Sequence, residues 1–514
     1  MIYSKHFRIL CLFFSILSTG SLSAQEITYS EYNNEDNRDM RFEILGKMED
    51  HYVIYKNIRW KHVLAFYDNN MRIKKSLRLA FVPDRTFNID FVTYPGQFLL
   101  TYQYQKNNTI FCMGVKLGPD GKKLADPVLL DSTKLGMMAD NKIYNTIYSQ
   151  DKQRILVYKM QRKNQQFTVA TKLFDANLHM LDSTRLVSAY DDRNDAYSDL
   201  LLGNDGSFIY AKLSLINFRK RVNGMDIISK KPGAADFVIK PMSFESKFFD
   251  DIKMKIDNLN GNCILSSLYY DKQGGNIKGL FAALISMQDT EVKKMKFNEF
   301  HDTLRAKVSD GQFRSAFDNI SIQQSIVKKD GGFMLTTEDN YSQGRTGVSN
   351  SNWNRYNYLY NSPYTTNTDY YFTNPAFNNG FYRPLSSFNN MQNVRFYYDN
   401  IMLLSLNNDM DLQWTSIIPK KQSDDENDNF LSFCTMNVGS EIHFIFVEED
   451  RNKQVISNHS VFPDGQVKRY PTLKSREAGF EFMPRLAKQV GYRELIIPCV
   501  YRTNIAFAKV VFFE

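Results

Sequence analysis

Cysteine and histidine are scarce in this chain, and the short motifs that mark common enzyme classes are missing from it. Five cysteines and seven histidines are spread over 514 residues, and no C-x-x-C pair occurs among them. Neither a zinc site nor a dense disulfide framework is therefore indicated. The sequence also lacks a G-x-S-x-G elbow, an H-E-x-x-H motif, a phosphate-cradling glycine loop and a dinucleotide fingerprint. These absences exclude the enzyme classes that such motifs define.

Long apolar runs are also missing, apart from one near the N-terminus. Ile9–Leu17 is a nine-residue run, well short of the roughly 20 residues that a transmembrane helix needs. Lys5 and Arg8 precede it, and small and polar residues ending in Ala24 follow it. This order predicts a secretory signal peptide over residues 1–24. We therefore expect an exported protein without a transmembrane segment, located in the periplasm, at the outer membrane or outside the cell.

Charge of one sign is not concentrated anywhere in the sequence. Lys and Arg number 64 against 56 Asp and Glu, which gives a formal net charge of +8. The densest basic patch, residues 219–221, is short and belongs to no nucleic-acid-binding signature. No stretch has the ligand alternation of a calcium loop. We therefore expect no nucleic-acid partner, no metal and no cofactor.

Two neighbouring stretches of the chain follow the same plan of short strands and tight turns. In the first, Leu100, Tyr102 and Tyr104 alternate with polar residues, as the two faces of a strand require. Polar tripeptides and Asp/Asn/Gly turns separate the runs, and such residues tolerate the positive φ of tight hairpins. After the turn, the phrase Leu-Asp-Ser-Thr begins at Leu130 and again at Leu181. Each unit is thus predicted to be a meander of antiparallel strands.

An acidic residue in the turn marks the repeat. It recurs at Asp68, Asp120, Asp175, Asp289, Asp409 and Asp464. Successive members are 52, 55, 114, 120 and 55 residues apart. The gap of 114 is two periods of 57, and the gap of 120 is one period plus an insertion. One further unit lies between the third and fourth members, and we place its turn near Asn223-Gly224. Cys434 and Cys499 fall in neighbouring units, so an oxidising compartment would allow them to pair.

The two ends of the chain complement each other. The last unit, residues 481–514, has room for three strands, and residues 27–32 are left over before the first complete unit. A strand from the N-terminus that completes the final sheet would close a ring. The pattern resembles the β-propeller superfamily, with four strands per blade and a repeat near 50 residues. The resemblance implies an all-β fold over residues 25–514: a single propeller of eight four-stranded blades, or seven, closed by the N-terminal strand.

An insertion at residues 344–393 departs from the repeat. It contains twelve Asn and twelve aromatic residues but only one acidic residue, Asp369. Aromatic rings stack on sugars or anchor protein interfaces, and Asn supplies paired hydrogen-bond donors and acceptors. The alternative is a long hairpin that packs on its own propeller. The predicted binding residues are Trp353, Tyr356, Tyr358, Tyr360, Tyr364, Tyr370, Tyr371, Phe377 and Tyr382.

Acidic residues also gather where one repeat passes to the next, on what would be one face of the ring. They are Asp84, Asp140, Asp191, Asp192, Asp195, Asp250, Asp251, Asp424, Asp425, Glu426 and Asp428. A cation or a basic partner would fit such a face, whereas the simpler explanation is that Asp ends strands and begins turns.

The sequence as a whole favours a non-enzymatic binding or scaffold protein of the cell envelope that recognises a protein or a glycan. Two alternatives remain open. One is a carbohydrate-active enzyme, a glycosidase or lyase, with carboxylates lining the central channel. The other is an outer-membrane β-barrel, whose strands also alternate apolar and polar residues.

Overall fold

We describe the protein from a computed structural model. The residues it describes are 25–31, 40–134, 143–163, 165–191, 194–216, 221–244, 246–250, 252–272, 275–302, 304, 319–344, 349–350, 394–425, 428–450, 453–474 and 479–512.

The described residues form seven antiparallel sheets, which confirms the predicted all-β fold. The ten-stranded sheet contains two consecutive repeat units that are joined through Phe248–Phe249. We count these two units separately, as sheets 4 and 5, so the units are numbered sheet 1 to sheet 8 along the chain. The strands of sheets 1 to 3 are Met40–Met48, His51–Ile58, Lys61–Tyr67 and Ile73–Arg78; Thr86–Tyr94, Gln97–Lys106, Thr109–Leu117 and Val128–Lys134; and Tyr144–Tyr148, Arg154–Lys163, Gln166–Asp175 and Met180–Ala189. Those of sheets 4 and 5 are Asp195–Tyr197, Leu201–Leu202, Phe208–Ile216, Arg221–Lys230 and Val238–Ser243; and Phe248–Phe249, Lys253–Asp257, Asn262–Tyr270, Gly279–Ser286 and Val292–Glu299. Those of sheet 6 are Ile320–Val327, Phe333–Gly344, Ser349–Asn350, Val394–Leu406, Leu412–Ile418 and Gln422–Asp424. Those of sheets 7 and 8 are Phe433–Val438, Glu441–Asp450, Lys453–Val461, Val467–Arg469 and Leu473–Lys474; and Phe480–Phe482, Lys488–Gly491, Glu494–Tyr501, Asn504–Phe512 and Gln25–Tyr29, with a 3-10 helix at Pro484–Leu486.

Burial explains the different composition of inner and outer strands. The bridging strand Phe248–Phe249 is not counted here, so Lys253–Asp257 is the first strand of sheet 5. The second and third strands, Asn262–Tyr270 and Gly279–Ser286, are buried along their whole length. Strands covered on both faces read as near-continuous apolar runs. The fourth strand of sheet 3, Met180–Ala189, alternates exposed and half-buried residues instead. First strands of neighbouring sheets approach one another, so they lie innermost and the fourth strands form the perimeter.

The sheets pack in a cycle. Eight hydrophobic clusters occur, and each of seven joins one sheet to the next along the chain. The remaining cluster joins Met40 and Phe42 of sheet 1 to Ile496 and Phe507 of sheet 8. The cyclic order of these contacts is consistent with the predicted propeller of eight, or seven, blades. Sheets 4 and 5 are in addition bridged by Phe248–Phe249, which pairs with a strand of each.

The N-terminal strand completes the last sheet, as predicted. Gln25–Tyr29 pairs antiparallel with Asn504–Phe512, from Gln25 opposite Phe512 to Tyr29 opposite Ala508. Ser30 extends the pairing: its backbone N–H donates to the Phe507 carbonyl at 2.9 Å, and its hydroxyl accepts from the Phe507 N–H at 2.9 Å. The last edge strand thus gains a partner from the opposite end of the chain.

The recurring turn acids cap their own turns. Asp68 accepts hydrogen bonds from the backbone N–H groups of Asn70 and Arg72, both at 2.9 Å. Comparable bonds form at four further turns, those of Asp120, Asp175, Asp289 and Asp464. In sheet 6 the capping residue is Asn407, and the neighbouring Asp409 pairs with Lys294 of sheet 5. The period therefore reflects the geometry of Asx turns.

The placement of one turn at Asn223-Gly224 is wrong. Both residues lie inside the strand Arg221–Lys230 of sheet 4, which is the third strand when the short strands Asp195–Tyr197 and Leu201–Leu202 are counted together as the first. Gly224 is opposite Ser214 and Val222 is opposite Leu215, so Asn223 is an extra residue in a β-bulge. Glycine inside a strand often marks a bulge as well as a turn.

The four described cysteines are buried, and none of them forms a disulfide. Cys434 and Cys499 belong to the same cluster between sheets 7 and 8, so the sequence placed them correctly in neighbouring units. Burial raises the pKa of the Cys434 thiol to about 12. This side chain therefore packs as a small apolar group.

Two faces follow from the strand order. Because successive strands are antiparallel, the links between sheets and the loops from second to third strand open on one face, which we term the connection face. Loops from first to second and from third to fourth strand open on the other, the turn face. Two strands flank the insertion, Phe333–Gly344 and Val394–Leu406, which we count as the second and third strands of sheet 6. The insertion therefore begins and ends on the connection face.

Gly279 marks a close approach between two strands of sheet 5. A Cβ at this position would lie 2.1 Å from the backbone oxygen of Asn298. We expect Gly279→Ala to lower the free energy of unfolding by about 1–3 kcal/mol, because the paired strand must shift. Denaturant unfolding measures the loss. Gly224→Ala is the matched control, since its Cβ meets nothing closer than 3.9 Å; equal losses for both variants would refute this explanation.

Candidate functional site

The insertion begins and ends on the two longest described strands. Phe333–Gly344 has 12 residues and Val394–Leu406 has 13, and they pair from Phe333 opposite Leu406 to Gly344 opposite Val394. The predicted binding residues of the insertion lie outside the described residues: Trp353, Tyr356, Tyr358, Tyr360, Tyr364, Tyr370, Tyr371, Phe377 and Tyr382. The structure does describe the residues that hold these two strands in place, which we term the insertion base.

A fully buried ion pair forms the centre of the insertion base. Glu338 Oε1 lies 2.9 Å from Lys420 Nζ, and both side chains have 0% exposure. Lys420 Nζ also donates to the Tyr398 carbonyl at 2.8 Å and to Gln422 Oε1 at 2.9 Å. Burial lowers the pKa of Lys420, and the Glu338 carboxylate opposes that shift. A charge this deeply buried is tolerated only when its partners are fixed.

The same network reaches sheet 7. Ser432 Oγ donates to Glu338 Oε2 at 2.8 Å. Gln422 accepts from the Ser432 backbone N–H at 2.8 Å and donates to the Val447 carbonyl at 2.8 Å. Glu338 and Gln422 belong to sheet 6, Ser432 directly precedes the first strand of sheet 7, and Val447 lies in the second strand of sheet 7. The strands that carry the insertion are thus tied to the blade beside them.

A second ion pair extends the insertion base to sheet 8. Arg485, in the 3-10 helix before the innermost strand of that sheet, pairs with Asp428 Oδ2 at 2.8 Å. Tyr398 Oη donates to the same oxygen at 2.8 Å. Burial alone would raise the pKa of Asp428, but the Arg485 guanidinium holds it below its ordinary value. Three consecutive sheets therefore converge beneath the insertion.

Two partly exposed tyrosines lie on the insertion-bearing strands. Tyr341 and Tyr397 face each other across the pair of strands, with ring centroids 4.6 Å apart and planes 11° apart. The guanidinium of Arg395 lies over the Tyr397 ring at 5.6 Å. Burial raises the pKa of the nearby Asp399, whose Oδ1 has no hydrogen-bond partner among the described residues. This surface joins aromatic, cationic and acidic groups next to the start of the insertion.

Several acidic residues of the connection face form ion pairs within the chain. Asp84 pairs with Arg78 at 3.2 Å, Asp195 with Lys212 at 2.9 Å and Asp425 with Arg395 at 3.4 Å; Asp250 pairs with Arg221. Asp140, Asp192, Asp251 and Glu426 lie outside the described residues. Among the described residues, no cluster of three metal-ligating side chains occurs. Strand ends and turns account for these acids without a bound cation.

One carboxyl near the ring axis has an unusual environment. Glu43, on the innermost strand of sheet 1, is 1% exposed, and neither carboxyl oxygen has a hydrogen-bond partner among the described residues. Burial raises the pKa of Glu43 to about 8; Lys488 of sheet 8 opposes the rise and Asp90 of sheet 2 adds to it. Because the protein encloses this carboxyl, its main consequence is for the pH dependence of stability.

Sequence reasoning missed the insertion base. The available signal was an acidic pair at the end of one apolar run, Glu338-Asp339, and a lysine pair after another, Lys420-Lys421. Glu338 and Lys420 are 82 residues apart in the chain. Only the pairing of the strands on either side of the insertion brings them together.

No protein-family model matches the sequence, and no curated protein matches it. Three solved structures show its range of structural similarity. A prolyl endopeptidase has a TM-score of 0.42 at 8% identity, over 91% of this chain and 55% of its own. An ulvan lyase has a TM-score of 0.38 at 9% identity, over 81% and 90%. An apocarotenoid oxygenase of Synechocystis has a TM-score of 0.32 at 7% identity, over 95% and 94%.

The chain spans just over half the length of the prolyl endopeptidase it resembles. No helix in the described part of the chain has the length and apolar character to span a bilayer. The fold is assigned from the molecule's own sheets, their order and their cyclic packing. By these features, the fold of this all-β chain is β-propeller-like.

Proposed function

We propose that this protein is an exported, non-enzymatic binding or scaffold protein of the cell envelope, and that residues 344–393 recognise its protein or glycan partner. The observation that carries the proposal is the insertion base. The pair Glu338–Lys420, with both side chains fully buried, and the bonds from Ser432 and Gln422 fix the two strands that present the insertion. A recognition segment loses less entropy on binding when its ends are already held rigidly.

The composition of the insertion supports recognition of polar, flat or hydroxyl-rich surfaces. Twelve aromatic and twelve Asn residues occur within residues 344–393, with a single acid, Asp369. Aromatic rings bury large areas at low cost in side-chain entropy, and they dominate the energetics of many interfaces. The described tyrosines Tyr341 and Tyr397 continue this aromatic character down to the edge of the ring.

Substitution of insertion aromatics tests the proposal. Trp353→Ser, Tyr356→Ser and Tyr358→Ser, combined in one variant, are expected to weaken partner binding about tenfold or more, as loss of aromatic anchors does. Binding is measured on a glycan array and by pull-down from envelope extract, which separate a glycan from a protein partner.

The control for this experiment is a variant with aromatic substitutions elsewhere. Trp60 and Tyr492 are 52% and 65% exposed and lie in short turns of other sheets. Trp60→Ser/Tyr492→Ser is expected to bind as the intact protein does. If the control loses binding and the insertion variant retains it, recognition lies elsewhere on the ring.

A further inference from the structure

Three asparagines of the chain are followed directly by glycine, and this dipeptide is chemically labile. They are Asn223, Asn260 and Asn379. Because glycine has no side chain, its backbone nitrogen can approach the amide carbon of the preceding asparagine without steric hindrance. Asn379 belongs to the insertion and lies outside the described residues. The structure distinguishes the other two, since it places one in a paired strand and the other in an exposed turn.

Asn223 and Gly224 are held within a sheet. Their strand, Arg221–Lys230, is paired on both sides, and Gly224 lies opposite Ser214 on one side and Ser243 on the other. Pairing keeps the backbone extended and engages its N–H groups. The Gly224 nitrogen is therefore kept away from the Asn223 amide carbon while the sheet is intact.

Asn260 and Gly261 end the turn between the first two counted strands of sheet 5, Lys253–Asp257 and Asn262–Tyr270. Both residues are exposed, and a Cβ on Gly261 would meet nothing within 4 Å beyond its chain neighbours. Gly261 has a φ of 63°, which glycine adopts readily. Its N–H makes no hydrogen bond to any described residue. Water and hydroxide can thus reach this nitrogen.

We propose that Asn260 is a site of spontaneous deamidation in the folded protein. The Gly261 nitrogen forms a bond to Cγ of Asn260, the bond from Cγ to Nδ2 breaks, and the proton of the Gly261 N–H leaves with the amide nitrogen as ammonia. Water then opens the resulting five-membered imide at either carbonyl, which gives Asp or isoaspartate. Either product places a new negative charge in the turn. The proposal does not depend on the function proposed for the insertion.

The modified turn loses contacts that the intact asparagine makes. Asn260 Nδ2 donates to Asp257 Oδ2 at 2.7 Å, and Asp257 is 2% exposed. A carboxylate in place of the amide removes this donor and puts two like charges side by side. Asn258 of the same turn accepts from the Asn204 N–H of sheet 4 and donates to Gln150 Oε1 of sheet 3, both at 2.9 Å. Deamidation therefore weakens a point where three sheets meet on the turn face.

Peptide mapping by mass spectrometry tests the site. The purified chain is aged at mildly alkaline pH, folded in one sample and unfolded in denaturant in the other. In the folded sample the peptide that contains Asn260 is expected to accumulate Asp and isoaspartate several-fold faster than the peptide that contains Asn223. In the unfolded sample the two rates should converge, because neither glycine nitrogen is held. The rate at Asn260 should rise with pH, since the Gly261 nitrogen must lose its proton to attack.

Asn260→Gln is the matched variant, because it keeps an amide while its longer side chain cannot close the same five-membered ring. Its acidic charge variants, separated by ion exchange, should decrease relative to the intact chain, whereas Asn223→Gln should leave them unchanged. Asn260→Asp reproduces one product and should unfold at a lower denaturant concentration than Asn223→Asp. Equal conversion of Asn223 and Asn260 in the folded chain overturns the proposal, and so does an Asn260 peptide that stays intact as the folded sample ages.

Discussion

Lys420→Met is expected to lower the free energy of unfolding by about 3–5 kcal/mol, the usual cost of removing one partner from a buried ion pair. The Glu338 carboxylate would stay buried with Ser432 as its remaining partner, and the Tyr398 carbonyl and Gln422 would each lose a donor. Denaturant unfolding of the purified protein measures the change. The same variant should weaken the attachment of the insertion, since this pair forms the centre of its base.

A double variant separates an uncompensated charge from lost packing. Glu338→Gln/Lys420→Met keeps an acceptor for Ser432 and removes both charges, so it should be more stable than Lys420→Met alone. An exposed pair provides the control: Lys123 and Asp126 lie 2.8 Å apart with side chains 36% and 93% exposed. Lys123→Met should change the free energy by about 0–1 kcal/mol. A double variant as unstable as Lys420→Met would show that packing, not charge, is responsible.

Glu43→Gln is expected to stabilise the protein under alkaline conditions, by an amount on the order of 2–4 kcal/mol near pH 9. Burial raises the pKa of Glu43 from 4.5 to about 8. Between these values the unfolded chain releases the proton and the folded chain retains it, so stability falls as pH rises and levels off above the folded pKa. Gln carries no titrating proton, so the variant lacks this loss.

The measurement is a series of thermal or denaturant midpoints from acid to alkaline pH. The difference between Glu43→Gln and the intact protein should shrink towards pH 4.5 and vanish below it, where the carboxyl is protonated in both states. Lys488 and Asp90 are the charged groups that act on Glu43, with Tyr55 beside it on the next strand. Glu49→Gln, at an exposed turn of the same sheet, is the control. Destabilisation by Glu43→Gln at every pH would show instead that an ionised Glu43 pairs productively with Lys488.

Periodicity predicted most of the fold because each sheet is a local object. The run from Leu100 to Tyr104 lies in one strand, as predicted, although its polar residues Thr101 and Gln103 are buried as well. Asp68 recurs because each turn needs a cap for its own backbone. One strand is left over at the N-terminus, and the last unit lacks its fourth strand. These two observations predicted the pairing of Gln25–Tyr29 with the last sheet. The prediction failed at Asn223-Gly224, because the same two residue types serve a bulge and a turn.

The insertion base was not predictable from the same signals. Arg485, Asp428 and Tyr398 come from three different units of the repeat, and nothing in their spacing differs from that of surface charges. Glu43 is the one acid of its strand, Met40–Met48, and Arg41 lies two residues before it. Its raised pKa depends on the sheets that cover it and on Lys488, which lies hundreds of residues away in the chain.

By itself the sequence determined an all-β chain of repeated four-stranded units, the turns that separate them and the strand that joins its two ends. These properties depend on alternation and turn chemistry within a few residues, and such interactions are encoded locally. The tertiary structure alone decided which charges are buried together and which carboxyls have a raised pKa. Those outcomes depend on the packing of sheets distant in sequence, because burial and Coulomb interaction act through space.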